Sequence, residues 1–436
     1  MNRQQLTRLA TQAKSIGLVD LAVRYNPWLR RRVSAALRAS GATARGAQVE
    51  WLSRRIVRCA RQTRYGSGRS PRLDEWPLLA KSRPLAAPAD FINRRSFIRV
   101  PASSGGTTGT PLRLWRSLEC IVAEQLFLDE LLAVYGCGMR SRMAVLRAER
   151  VKPAGEASPP YGRLSHGGTR LTLSSLHLQA GSLRWYVEEL ERFAPQVLWV
   201  YPSAVINLLR LMERANLRLS VPVILASSEL LSGRMHAELE RFFHARVINY
   251  YGQAERACLA WSTRPDEFFF HPLYGKVELQ MLTPSDPPAA RIIGTGFWNT
   301  AMPLIRYDTG DLLYLPAHLG FAELAEIARG ERPFVGLAGR TGEYLLTRDG
   351  LRIIGLNHIP RDIDNINQVQ LVQTGWNALR INVLATREFG KSDERALRAA
   401  AAAKLPASFE VMVSRVDSLR QTAGGKTPFV IREVEP

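Results

Sequence analysis

The strongest constraint on the fold is a pattern in which a short apolar run passes directly into an amphipathic helix. QVLWVYPSAVINLLRLMERANL and VPVILASSELLSGRMHAELERFF both have this form, and ARVINYYGQAE opens another strand behind them. Strands that alternate with helices cannot be joined by tight hairpins. They run parallel, with the helices packed on the sheet faces. The chain is therefore expected to be α/β, with ligand sites at the carboxyl ends of the strands. The loops in VYPSA, SSELL and YYGQAE are where a pocket is expected.

From Gly275 the texture changes. GKVELQML, ARIIGTGFWNT and DLLYLP are short extended runs broken by TPSDPPAA, which predicts an antiparallel or barrel-like sheet. A helix-prone stretch, LAEIARGERP, follows. Beyond it come LVQTGWNALRINVLAT, the Ala-rich helix ERALRAAAAAKL and a last extended piece ending in GGKTPFVIREVEP. The expected division is an N-terminal domain over 1–338 and a small α+β domain over 339–436. Residues 1–65 read as a basic helical extension, in which VEWLSRRIVRCARQTRYG sets Trp51, Leu52, Ile56, Cys59 and Ala60 at helical spacing against Arg54, Arg55, Arg58 and Arg61. Such a helix packs on its own domain or makes peripheral contact with a membrane surface.

Lys and Arg total 59 against 39 Asp and Glu, a net charge of +20, which attracts anions without saying whether they are nucleic acid, lipid or an acidic substrate. The chain carries no aromatic-and-basic RNA-binding motif and no zinc finger, so no specific nucleic acid is expected. Cys59, Cys120, Cys137 and Cys258 are far apart and without C-x-x-C spacing, which fits reduced thiols in a cytoplasmic protein. The N-terminus lacks the apolar stretch of a signal peptide, and no run approaches the roughly 20 apolar residues of a membrane span.

SSGGTTGTP, residues Ser103–Pro111, supplies three glycines and five hydroxyls with no charge. It is not a Walker loop, because no lysine lies in it to reach the terminal phosphates. Glycines nonetheless let backbone N–H groups converge on a phosphate, and Ser103, Ser104, Thr107 and Thr108 add hydroxyl donors. Taken alone, such a stretch is also an ordinary surface turn.

Three downstream stretches shift the balance between these readings: YYGQAE at 250–255, MPLIRYDTGD at 302–311 and GRTGEY at 339–344. With the glycine loop they resemble, in order, the motif set of the adenylate-forming superfamily. WVYPSA, ASSELL, FHPLYGKVEL, GTGFWNTAMPLIRYDTGD and QVQLVQ are similar to its phenylacetate–CoA ligase branch, in particular the CapK-like proteins. The resemblance implies a large N-terminal adenylate-forming domain of mixed sheets and helices plus a small mobile C-terminal one. It also implies an AMP-forming ligase that uses ATP and Mg2+ to activate a small aromatic or acyl carboxylate. The acyl group then passes to an acceptor, with coenzyme A ranked first.

By the same resemblance, Ser103, Ser104, Gly105, Gly106, Thr107, Thr108 and Gly109 would hold the phosphates, with Tyr251 and Gly252 beside the nucleotide. Glu255 and Thr108 would serve the magnesium ion, Asp311 the ribose hydroxyls, and Arg340 the nucleotide at the domain junction. Lys426 in GGKTPF would neutralise charge during adenylation, with Glu255 as the second catalytic residue. The chain departs from the superfamily pattern at Thr110, where many members carry lysine, and at Gly342, where the hinge usually has aspartate or lysine. His166, His177 and His271 read as structural, and no structural zinc is expected. Two alternatives stay open: an amide or ester synthetase with an amine or hydroxyl acceptor, and an inactive scaffold that binds nucleic acid or a membrane surface through its charge.

Overall fold

A computed structural model describes residues 22–434 except 39–40, 105–111, 139, 148, 150, 153–155, 157, 283–287, 318, 341–343, 349–351, 354–355, 357–358, 361–362, 364, 407 and 422–426. Helices α1 (Pro27–Leu37) and α2 (Ala42–Ala60) lead the chain. Leu52, Ile56 and Ala60 of α2 are buried, as the spacing predicts, and so is Val57, but Trp51 is 52% exposed and lies against the Arg55 guanidinium at 5.8 Å. The helix phase turns Trp51 away from the apolar stripe. Arg32, Trp51, Arg54, Arg55, Arg58 and Glu119 line an open recess here. No helix among the described residues is long and apolar enough to cross a membrane.

A short hairpin, β1 (Val100–Ser103) and β2 (Arg113–Arg116), brackets the glycine loop and feeds α3 (Leu118–Ala133). Ser117 caps that helix, its hydroxyl accepting the Cys120 N–H at 3.2 Å. Next come β3 (Met143–Arg147), β4 (Gly162–Ser165), β5 (Arg170–Ser174), α4 (Leu183–Phe193), β6 (Val197–Val200) and α5 (Pro202–Arg214). They are followed by β7 (Val223–Ser227), α6 (Gly233–Phe243), β8 (Arg246–Gly252), β9 (Leu259–Ser262) and β10 (Phe269–Phe270). Eight strands form one sheet in the order β10-β9-β8-β7-β6-β3-β5-β4, whose inner strands β5, β3, β6, β7 and β8 are parallel. Leu198, Val200, Ile224 and Val247 face helices α4 to α6, whereas Val197, Val223, Leu225 and Ile248 face α3 and the N-terminal helices. Strands buried on both faces account for runs such as VILA with no polar alternation.

A second sheet, β11 (Gly275–Met281), β12 (Ala289–Gly296), β13 (Tyr307–Tyr314) and β14 (Gly336–Arg340), is antiparallel throughout, and α7 (Phe321–Ala328) lies between its last two strands in sequence. It packs closely on the first: a Cβ on Gly296 would stand 1.9 Å from the Arg256 carbonyl oxygen.

The C-terminal residues form β15 (Leu345–Leu346), β16 (Arg352–Ile353), β17 (Ile366–Gly375), β18 (Ala378–Ala385), α8 (Lys391–Lys404), β19 (Glu410–Arg415) and β20 (Val430–Arg432). The four-stranded order β19-β18-β17-β20 combines an antiparallel centre with parallel edges. Leu371, Ile381, Val383, Leu397 and Ala401 give this unit its own core. The fold class expected from the sequence is therefore borne out: mixed sheets and helices, followed by a small α+β unit.

Candidate active site

Two of the resemblance-derived motifs meet where β8 and β13 face one another. Tyr251, near the end of β8, donates its hydroxyl to Asp311 Oδ2 at 2.9 Å. Tyr307, at the start of β13, donates to Glu255 Oε1 at 3.0 Å. Each strand thus supplies a tyrosine to a carboxylate on or just past the other strand, and both carboxylates are buried. Burial, with Asp311 adding to it, pushes the Tyr251 phenol well above its ordinary pKa, so it stays a donor. Cys258 beneath them is held as a neutral thiol, its pKa raised by burial to about 12.

Lys81 is a member of this site that the sequence did not mark. Its ammonium lies 3.4 Å from Glu255 Oε1. It is brought there because Leu79 bridges β13, accepting from the Asp308 N–H at 2.9 Å and donating to the Arg306 carbonyl at 2.9 Å. The other carboxylate oxygen, Glu255 Oε2, takes no partner among the described residues.

Ser104 closes the base of the glycine loop: its N–H donates to the Leu112 carbonyl at 3.0 Å and its hydroxyl accepts the Leu112 N–H at 2.9 Å. Ser103 pairs with Arg113 in the hairpin. Gly105, Gly106, Thr107, Thr108, Gly109 and Thr110 lie outside the described residues, as do Gly342 and Lys426. Arg340 stands opposite Asp311 in the β13–β14 pairing. Gly252 ends β8. The residue after Lys426 is described: the Thr427 N–H is 3.5 Å from Glu229 Oε1, just beyond β7. Glu229 Oε2 also accepts the Ser203 N–H at the start of α5, at 2.8 Å.

Further along the carboxyl edge the structure gathers groups that motif reading missed. Arg147 ends β3 and donates to Ser227 Oγ at 2.7 Å, with its guanidinium over the Trp199 ring at 4.2 Å. Glu124 of α3 accepts from Tyr274 at 2.6 Å and from the Tyr250 hydroxyl, and pairs with Arg256. Ser228 and Arg256 hold positive φ values of 74° and 59° without being glycine, the kind of local strain that clusters at functional sites. The available signal for Arg147 was its place, the first charge after MAVL at a strand's carboxyl end.

The three histidines are placed by packing. His177 is buried against Ser174 at 3.1 Å, His166 bonds Ser165 at 2.9 Å, and His271 pairs with Glu130 at 3.5 Å beside the Phe127 ring.

The chain thus joins an eight-stranded mixed sheet, an antiparallel sheet laced to it through tyrosine–carboxylate bonds, and a small C-terminal α+β unit. Comparison with known proteins finds this fold among solved CoA ligases. A 2-hydroxyisobutyryl-CoA ligase in its postadenylation state, in complex with R3-HIB-AMP, superposes with a TM-score of 0.59 over 91% of each chain, at 15% identity. Residues 345–433 match the CapK C-terminal domain family. Protein CapK of Staphylococcus aureus is 21% identical over 351 residues, spanning 79% of this chain and 77% of that one. The phenylacetate-coenzyme A ligase of Aromatoleum evansii is 24% identical over 288 residues, spanning 63% and 60%. The resemblance read from the motifs is thus borne out at the level of fold and relatives.

Proposed function

We propose that the chain is an AMP-forming carboxylate ligase. A carboxylate oxygen of the substrate attacks the α-phosphorus of ATP, the bond to the β-phosphate breaks, and pyrophosphate leaves. The acyl-adenylate then loses AMP to an acceptor nucleophile. The observation that carries this reading is the reciprocal pair Tyr251–Asp311 and Tyr307–Glu255, which fixes two carboxylates for separate tasks. Asp311 accepts from the ribose hydroxyls, and the glycine loop with Ser103 and Ser104 receives the phosphates.

Glu255 fits a magnesium ion, since one oxygen is held by Tyr307 and Lys81 and the other takes no partner among the described residues. Hard carboxylate oxygens suit such a cation. Glu255 and Thr108 would hold it, and the ion when bound neutralises phosphate charge. Lys426 would neutralise charge at the reacting carboxylate, and its described neighbour Thr427 contacts Glu229. Because β14 pairs with β13 as far as Arg340, the division between the two domains is proposed just after that residue rather than at 338.

Coenzyme A is the proposed acceptor, supported by the named activities of the relatives; an amine or hydroxyl acceptor is separated from it by competition. The test of the first half-reaction is ATP–pyrophosphate exchange over a panel of carboxylic acids with product analysis. AMP and pyrophosphate are expected, and ADP with a stoichiometric acyl phosphate overturns the reading.

A further inference from the structure

Arg147 is a cation built into the sheet. Its guanidinium is stacked near two rings, 4.2 Å from the Trp199 centroid and 5.1 Å from that of Tyr201. Nη2 donates to Ser227 Oγ at 2.7 Å, while the buried Nε has no partner among the described residues. Burial lowers its pKa to about 10, against the pull of Tyr201, Glu149 and Tyr250 and with the repulsion of Arg170, so it remains charged at neutral pH. Among the described residues no carboxylate forms an ion pair with it.

Ser227 adds an independent observation. Its hydroxyl oxygen accepts from Arg147 and also from the Trp199 indole N–H at 3.1 Å. A hydroxyl has two lone pairs and one proton, so with both lone pairs engaged the proton needs an acceptor, and no described residue supplies one. Two neighbouring donors therefore lack an acceptor, a costly state for buried groups. Ser227 pairs with Tyr250 of β8, and adjacent strands lie about 4.8 Å apart. The donors thus stand roughly one strand spacing from the strand that leads into Tyr251 and Glu255.

We propose that Arg147 and Ser227 form an anion subsite of the acyl pocket, and that the acid activated here carries a second anionic oxygen group remote from the carboxylate that is adenylated. The inference rests on the adenylation reading. The second group is the better occupant because the reacting carboxylate loses its charge on forming the anhydride. A fixed cation on it would stabilise the ground state more than the transition state. The distal group keeps its charge throughout.

The test uses matched acids, adipate against hexanoate and 4-carboxyphenylacetate against phenylacetate, in ATP–pyrophosphate exchange and in calorimetric binding to the full chain. The diacid of each pair is expected to bind and exchange better. Arg147→Gln should reduce that preference roughly ten- to a hundredfold, the scale of a lost charge-assisted hydrogen bond. Arg147→Lys, which keeps the charge without the fork, should fall between. Ser227→Ala and Arg147→Lys carry the test if Arg147→Gln does not fold. Monoacids preferred by the wild type, a preference unchanged by the substitutions, or no binding of either class overturns the subsite. Exchange with monoacids alone rejects the subsite and keeps the ligase reading. Diacid-selective binding without exchange rejects the ligase reading and keeps the subsite.

Discussion

Asp311, proposed to recognise the ribose, already accepts from Tyr251 at 2.9 Å. Asp311→Ala is expected to weaken ATP binding roughly ten- to a hundredfold, about 1.5–3 kcal/mol for charge-assisted hydrogen bonds of this kind. Calorimetry on the folded variant checks it. Tyr251→Phe leaves the carboxylate in place and should cost less than about tenfold, because only the tether is lost. The carboxylates were legible because each lies inside a contiguous string, YYGQAE or RYDTGD. Lys81 was not, since its approach to Glu255 is created by a pairing between Leu79 and Tyr307, segments far apart along the chain. Arg147 carried no motif, only a position.

At the scale of elements, α3 is a buried helix that carries one charge inward. Glu124 satisfies Arg256, Tyr250 and Tyr274 together, joining α3 to the loops after β8 and β10. Glu124→Leu leaves Arg256 buried without its partner, and the expected loss is about 3–5 kcal/mol. Denaturant unfolding measures it, with Glu124→Gln expected to cost less because its amide oxygen still accepts. Gly296 makes the same junction from β12: an added Cβ meets the Arg256 carbonyl oxygen at 1.9 Å. Gly296→Ala should lower the unfolding midpoint by more than a typical single substitution, whose cost is about 1 kcal/mol. The strands of the βα units were readable because helices followed them directly. β3 and β5 were not read, although they lie inside the sheet. MAVL and RLTL are four-residue runs, too short for periodicity to separate strand from helix.

At the scale of the whole molecule, the C-terminal unit has its own core and meets the larger part through contacts that include Arg234 to the Ile363 carbonyl at 3.2 Å and the Thr427 N–H to Glu229 at 3.5 Å. Lys426→Ala is expected to slow acyl-adenylate formation by at least about a hundredfold, the scale of one preorganised electrostatic donor. ATP affinity should change little, and transfer from supplied acyl-AMP should largely survive. Adenylate formation at the wild-type rate would move the role to another residue. The α+β character of this unit was legible from its alternating runs and its Ala-rich helix. The end of β14 at Arg340 was not, because GRTGEY reads as one motif while the strand ends inside it.

The crossed tyrosine–carboxylate bonds between β8 and β13 have a thermodynamic consequence. A nucleotide held as proposed, by Asp311 on one sheet and through its phosphates by the side of Glu255 on the other, would grip both layers at once. Binding energy then works against their separation, so ATP should delay the parting of the two sheets during heating. By mass action, a concentration a hundred times the dissociation constant adds about 2.7 kcal/mol. Under that proposal the nucleotide becomes the clasp of the layered body it enters.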